Sequence, residues 1–234
     1  MRFNHDFIGY SQTETVLKFH SGDDKVRFNL NLKSQPDDWY YRFNEVTYDI
    51  NRYGHRSKNV GDIDLDNYIL FTGCSHTEGM GLELEKTFPY LAANDLEIDY
   101  YNLALGGSGI DLMTHNLMMW IHTVKKLPKA LIIMWPQTAR FVHLDQKDSE
   151  HLTLEVPTCT TTPTSERFMV MGEQIRFFDA VRKMSSKVIN TAYPCQIVNL
   201  KSDILGGGDK ARDLGHAGIL SNRKVADSLV QQLS

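Results

Sequence analysis

Tyr68-Ile69-Leu70-Phe71-Thr72-Gly73-Cys74-Ser75-His76-Thr77-Glu78-Gly79 is the stretch on which the reading of this chain turns. An apolar run of strand length stops at a glycine; a hydroxyl, a small residue and a second glycine follow before helix-like sequence from Leu82 to Leu91. A serine is thereby delivered at the end of a rigid strand. A helix starting just beyond it points free N–H groups at any negative charge created there. Serines after glycines mostly sit in ordinary turns, so this one needs partners elsewhere before it signifies chemistry.

Downstream, strands and helices alternate. Ile98 to Leu105 reads as a strand, followed by Gly106-Gly107-Ser108-Gly109 and a helix with Ile110, Met113, Leu117, Trp120 or Ile121, and Val124 on one face, ended by Pro128. Ala130 to Trp135 is a continuous apolar run, as expected of a strand buried on both faces, and stops at Pro136-Gln137. Residues 143 to 163 are polar, with Thr160-Thr161-Thr162-Pro163 as a loop or flap. Phe168, Met171, Ile175, Phe178 and Val181 mark another amphipathic helix, and strands are expected at Lys187 to Ala192 and Gln196 to Leu200. Gly206-Gly207-Gly208-Asp209 lacks phosphate-loop spacing and reads as a flexible connection. The last helix runs from about Ala217 to Leu233, with Ala226, Leu229, Val230 and Leu233 inward. Repeated strand–helix units favour an α/β fold with a parallel, right-handed sheet covered on both faces.

Upstream, residues 1 to 62 read as a β-rich region packed on a main domain of residues 63 to 234. Period-two alternation recurs in Val26, Phe28, Leu30 and Leu32, in Trp39, Tyr41 and Phe43, and in Val46, Tyr48 and Ile50, with turns at Ser21 to Asp24 and near Asn44-Glu45.

Composition narrows the function classes. The chain has 234 residues, 41% of them hydrophobic, enough to core one sizeable domain. Acidic residues (29) outnumber Lys plus Arg (25), and no basic run is interleaved with aromatics, so nucleic-acid binding lacks electrostatic support. Met1 to Asp6 holds no apolar signal core and no apolar stretch approaches membrane-spanning length; a soluble, unprocessed chain is expected. Cys74, Cys159 and Cys195 are odd in number without metal-type spacing, which suits buried thiols in a reducing compartment. His115 and His122 lie a heptad apart without a third ligand at useful spacing, so no metal site is read.

Sites in parallel α/β sheets lie at the carboxyl ends of the strands. The residues just past each apolar run are Ser75, Gly107, Gln137 and the segment Asp213-Leu214-Gly215-His216. A serine hydroxyl is hardly ionised at neutral pH and needs a base, for which His216 is the choice. Asp213, three residues earlier, suits the task of fixing the imidazole tautomer. The Ser75 and Gly107 N–H groups and the Gln137 amide are candidate donors to a tetrahedral oxyanion. His76 adjoins the serine with its ring expected to point elsewhere, as a cap or rim residue and, with Trp135, a candidate substrate contact; Glu78 is read as a charge favouring the helix start. Gly-x-Ser-x-Gly, the elbow of another serine-hydrolase fold, is broken by Thr77.

These blocks resemble those of the SGNH hydrolases, also called GDSL lipases and esterases: Gly73 to Gly79 for the serine block, Asn102-Leu103-Ala104-Leu105-Gly106-Gly107 for the glycine block, Trp135-Pro136-Gln137 for Gly-x-Asn, and Asp213-Leu214-Gly215-His216 for Asp-x-x-His. Asn51 to Arg56 also looks like a segment that precedes the serine block in some members, so the likeness spans about residues 51 to 233 and leaves out 1 to 50. The resemblance implies a three-layer α/β/α, flavodoxin-like sandwich with a parallel central sheet. It implies hydrolysis of carboxylic esters, commonly acetyl or other acyl groups on carbohydrates and lipids, without metal or organic cofactor. Cys74 stands where the family has Asp, Gln137 where it has Asn, and Trp135 where it has Gly. A thiol braces the serine turn poorly, and the longer amide needs a backbone set further back. Trp135 is expected to narrow the acyl pocket. The first two departures are what would mark a non-catalytic module with this fold; a triad passing its acyl group to a sugar hydroxyl instead of water is a third reading.

Overall fold

The computed structural model of the protein describes residues 2–4, 6–20, 22–136, 143–146, 152–155, 171–205 and 208–234. In chain order come β1 (Arg2–Asn4) and β2 (Phe7–Gly9), paired as a hairpin, β3 (Thr15–Leu17), α1 (Lys25–Ser34) and β4 (Tyr48–Ile50), which returns antiparallel to β3. The α/β part follows as β5 (Tyr68–Thr72), α2 (Ser75–Glu78), α3 (Phe88–Asp95), β6 (Asp99–Asn102), α4 (Ile110–Val124) and β7 (Ala130–Met134). It continues with the antiparallel pair β8 (His143–Gln146) and β9 (Leu152–Glu155), then α5 (Met171–Ala192), β10 (Gln196–Leu200) and α6 (Ile219–Leu233).

Four strands form the central sheet in the order β10-β7-β5-β6, all parallel. Register aligns Ile197, Leu131, Leu70 and Tyr101 across it, and one residue on it aligns Val198, Ile132 and Phe71. The first row packs with Leu117 and Trp120 of α4 and Ile189 of α5; the second packs with Phe88 and Ala92 of α3 and Val225 and Leu229 of α6. Alternate side chains of each buried strand thus feed two cores, which is why β5 and β7 read as unbroken apolar runs.

Right-handed crossovers explain the layers. The step from β5 to β6 moves one way along the sheet, and the steps from β6 to β7 and β7 to β10 move the other way. Helix α3 therefore lies on one face and α4 and α5 on the other. The direction reverses between β5 and β7, the switch point where open α/β sheets form a crevice beyond their carboxyl ends. Ser75 lies three residues past the end of β5, at that crevice.

Several element-level expectations change. Val26 to Leu32 is helical, not a strand: Asp24 caps α1 by accepting the Arg27 N–H (2.8 Å), Asn31 is buried, and Val26 and Leu30 point to solvent. Trp39 to Phe43 forms a 3-10 turn at Tyr40–Arg42, whereas Tyr48 and Ile50 do lie in a strand with buried side chains. The expected helix from Leu82 to Leu91 is broken, because α2 ends at Glu78 with Gly79 as its cap and a separate α3 begins at Phe88 with Pro89 in its first turn. The strand expected at Lys187 to Ala192 is the last part of α5, where Ile189 is buried and its neighbour Val188 exposed. The strand expected from Ile98 to Leu105 stops at Asn102, and the final helix starts at Ile219. Thr160 to Pro163 lies outside the described residues.

Residues before β5 are fastened into the α/β core. Asn116 of α4 treats Ile8 as a neighbouring strand would, accepting its N–H at Oδ1 (2.9 Å) and donating Nδ2 to its carbonyl (2.8 Å). The same carbonyl lies 3.3 Å from Nε2 of His55, whose Nδ1 is 3.0 Å from the Tyr101 hydroxyl. A carbonyl only accepts, so Nε2 carries the proton and Nδ1 accepts from Tyr101, whose oxygen accepts from Asn51 Nδ2 (3.0 Å). Every partner is neutral. Burial pushes the His55 imidazole from its ordinary 6.5 to about 4, against the opposing pull of the Ile8 carbonyl.

Between those two values the unfolded chain holds a proton that the folded chain does not. Stability is therefore expected to fall as pH drops from 6.5 toward 4, by about 3 kcal/mol over the whole window. Urea unfolding at pH 7 and pH 4 checks this. His55→Gln, which cannot titrate, should show a flatter dependence; equal slopes in the two proteins would assign the effect elsewhere.

Candidate active site

The chain leaves β5 through Gly73, and no larger residue fits there. An added Cβ would lie 2.3 Å from Thr77 Oγ1 and 2.8 Å from the Met134 carbonyl oxygen. The turn thus tucks against β7 and places Ser75 at the first position of α2 with 8% of its surface exposed. Cys74 makes no side-chain cap, as a thiol in the usual aspartate's place would suggest. Bracing comes from elsewhere. The Cys74 carbonyl accepts the N–H groups of Thr77 and Glu78 (3.0 Å each), Ser108 donates its hydroxyl to the Gly73 carbonyl (2.8 Å), and Asn102 donates Nδ2 to the Thr77 carbonyl (2.8 Å).

Asp213 and His216 arrive on a tight turn between Ala211 and Ala217. Leu214 donates its N–H to the Ala211 carbonyl (2.9 Å), and Ala211 donates to the His216 carbonyl (3.1 Å). Leu214 takes a left-handed conformation, φ 56°, which a branched residue adopts only when the surroundings impose it. The result is a continuous chain of hydrogen bonds. His216 Nε2 lies 2.8 Å from Ser75 Oγ, and His216 Nδ1 lies 2.5 Å from Asp213 Oδ2. The second carboxylate oxygen, Oδ1, accepts the N–H groups of Gly215 (3.2 Å) and His216 (3.1 Å). Burial alone would hinder ionisation of Asp213, but the bonds from His216 and from these two N–H groups outweigh it and hold the carboxyl below the usual carboxylate range. An ionised Asp213 requires the proton on Nδ1, which leaves Nε2 free to accept from the serine.

The glycine block sits on the other side. Strand β6 pairs beside β5, and the Ser108–Gly73 bond ties the loop after β6 to the loop that carries Ser75. Gly107 has φ 80° with open space where a Cβ would be, so backbone conformation is what favours glycine there. Among the described residues, neither the Ser75 nor the Gly107 N–H has an acceptor. Gln137, the third expected donor, lies outside the described residues. Trp135 is 7% exposed, with its indole N–H given to Asn199 Oδ1 (2.7 Å) and the Arg182 guanidinium 5.1 Å above its ring.

His76 does not point away from the site: its ring meets the His216 ring edge to face, with centroids 4.9 Å apart. Glu78 is not a solvated charge at a helix start either. It is 1% exposed, and its Oε2 accepts the Tyr10 hydroxyl (2.8 Å), whose oxygen accepts the Gly106 N–H (2.8 Å). Burial first, then the Glu78 charge, raise the Tyr10 phenol well above its ordinary value, which keeps it a donor. The segment Asn51 to Arg56 also reaches this region, since Arg56 gives Nη1 to the Gly79 carbonyl (2.8 Å) and Nη2 to the carbonyls of Thr47 (2.6 Å) and Leu82 (2.7 Å).

Sequence reasoning missed Tyr10, Asp23, Asn102, Ser108 and Arg212 around the site. Only Asn102 and Ser108 carried a signal, as polar residues flanking the glycine block at a strand end. Among the described residues no group of three or more His, Cys, Asp or Glu is arranged to hold a metal ion.

No protein-family model matches the chain, and no curated protein sequence matches it. Solved structures do. A carbohydrate esterase family 2 enzyme with a carbohydrate-binding domain from Corynascus thermopiles (Myceliophthora fergusii) aligns at 18% identity over 72% of this chain and 54% of that one, with a TM-score of 0.38. The acetyl xylan esterase Est2A of the rumen bacterium Butyrivibrio proteoclasticus aligns at 14% identity over 75% and 54%, TM-score 0.38. The psychrotrophic esterase EstA of Pseudoalteromonas sp. aligns at 15% identity over 71% and 96%, TM-score 0.41. The matched part thus spans about half the length of the first two.

Proposed function

We propose that this chain is a serine esterase of the SGNH type that hydrolyses short-chain carboxylic esters, acetyl esters first, carried on a carbohydrate, through an acyl-Ser75 intermediate. One observation carries the reading: Ser75, His216 and Asp213 form an unbroken hydrogen-bond chain at the switch point of a parallel sheet. As the Ser75 Oγ–carbonyl bond forms, its proton passes to His216 Nε2, and the carbonyl electrons move onto oxygen. The Ser75 and Gly107 N–H groups, with the Gln137 amide, take that charge. Collapse breaks the bond to the alcohol, which leaves with the proton from His216. Water then repeats the sequence on the acyl-serine, and its acyl carbon leaves as the acid. A non-catalytic module gains no support from Cys74, because the turn it fails to cap is held by Ser108 and Asn102.

Labelling of Ser75 by a fluorophosphonate, mapped by peptide mass spectrometry, tests the nucleophile. Release of acetate from acetylated sugars, beside a series of p-nitrophenyl acyl esters, tests the substrate class. No labelling at Ser75 would end the esterase reading.

Trp135 sets the expected acyl length. Its indole donates to Asn199 Oδ1 and lies under the Arg182 guanidinium. Trp135→Gly should therefore raise the hexanoate-to-acetate ratio of kcat/KM by about tenfold, the scale on which pockets sense methylenes. A ratio unchanged from the native protein would remove Trp135 from the acyl pocket.

A further inference from the structure

Residues before Asn51 lie outside the block resemblance, yet they supply a buried carboxylate to the back of the Asp213–His216 turn. Asp23 is wholly buried and accepts from Arg212 Nε (2.9 Å) and Nη2 (2.7 Å), and from the Tyr48 hydroxyl (2.5 Å). Arg212 immediately precedes Asp213. Its guanidinium also donates to the carbonyls of Lys18 (2.7 Å) and Val46 (3.3 Å), and it stands 4.9 Å from the Phe19 ring and 5.3 Å from the Phe28 ring. Its backbone is held as well, the N–H by the Gly81 carbonyl (3.0 Å) and the carbonyl by Asn31 Nδ2 of α1 (2.9 Å).

The contacts close a ring. The Gly81 N–H donates to the Tyr48 oxygen (2.8 Å), the Tyr48 hydroxyl donates to Asp23, Asp23 holds Arg212, and the Arg212 N–H returns to Gly81. Gly81 is three residues past the end of the short helix that starts at Ser75, and Arg212 is one residue before Asp213. The nucleophile's segment and the base's segment are thus joined by groups 23 and 48, both upstream of the sheet. The turn so held contains Leu214 in its left-handed conformation, which needs outside support to persist.

We propose that Asp23, acting through Arg212 and Tyr48, is a positioning residue that sets the Asp213–His216 turn against Ser75. The region before residue 51 is then part of the catalytic framework rather than an attachment. This rests on the esterase reading for its kinetic consequence, not for its geometric one. A misplacement of about 1 Å caused by a change remote from the reacting atoms can cost about 10²-fold in rate.

The test compares the native chain with Asp23→Asn and Tyr48→Phe in three measurements. They are the rate of Ser75 phosphonylation, kcat and KM on p-nitrophenyl acetate, and the low-field proton resonance of the short His216 Nδ1–H bond to Asp213, assigned by its loss in His216→Ala. Asp23→Asn should slow phosphonylation and lower kcat by about 10- to 100-fold, leave KM within about twofold, and shift or broaden the resonance. Tyr48→Phe should act in the same direction by about three- to tenfold. Asp23→Asn leaves Arg212 buried without its counter-charge and can prevent folding; Tyr48→Phe keeps the ion pair and the ring packing and decides the matter in that case. Folded variants with native phosphonylation rates and an unmoved resonance would overturn the proposal. If native Ser75 is not phosphonylated at all, the esterase reading falls, and the resonance alone still reports whether Asp23 holds the His216–Asp213 pair.

Discussion

Ser75→Ala is expected to lower kcat on p-nitrophenyl acetate by about 10⁴-fold or more, to abolish fluorophosphonate labelling, and to leave the fold intact. The size follows from the proposed role: without Oγ no acyl-enzyme would form, and only the oxyanion donors and binding would remain to assist direct attack by water. The fold should survive because, among the described residues, the hydroxyl makes one side-chain bond, to His216, so its loss costs about 1 kcal/mol. His216→Ala should fall to a similar floor, and the double variant no further, because the two groups perform one proton transfer and their losses do not add. Steady-state kinetics with circular dichroism on the three variants check this. A Ser75→Ala protein retaining a tenth of native turnover would place the nucleophile elsewhere.

What the sequence revealed, and what it hid, has a physical pattern. Strands β5 and β7 were legible because a parallel strand between two helical layers is apolar on both sides, and Leu70 and Phe71 serve opposite cores. The convergence of Ser75, Asp213 and His216 was legible because their residue types fall at a strand end and before the last helix, where such sheets bring side chains together. Helix α1 was not, since Val26, Phe28, Leu30 and Leu32 alternate as a strand would. The deciding information was a cap, Asp24 on the Arg27 N–H, together with burial of Asn31. Nor was the Asp23–Arg212 pair, whose members lie 189 residues apart and match no motif. A buried ion pair is written in three dimensions only. Glu78 misled for a related reason: an acidic residue near a helix start is usually solvated, and here Tyr10 folds over it from a segment that spacing could not place.

Asp213→Asn should cost about 10⁴-fold in kcat at neutral pH, although it removes no atom from the site. The reason lies in which oxygen does what. Oδ1 accepts two backbone N–H groups, from Gly215 and His216, while Oδ2 accepts from His216 Nδ1. An asparagine keeps only one acceptor, and two fixed N–H donors claim it, so the amide NH2 must face the imidazole. That NH2 donates to Nδ1, which drives the imidazole proton onto Nε2, where it points at Ser75 Oγ and cannot take the serine's proton. The geometry of the turn is preserved and the base is lost. Nitrogen-15 shifts of the His216 ring should report Nδ1–H in the native protein and Nε2–H in the variant. Despite its burial, the same carboxylate is held below the usual carboxylate range by the bonds it accepts from His216 and Gly215, so it stays ionised at pH values where a free carboxyl would be protonated. An Asp213→Asn protein with the native tautomer, or with turnover within about tenfold of native, would show that the carboxylate does not orient the base.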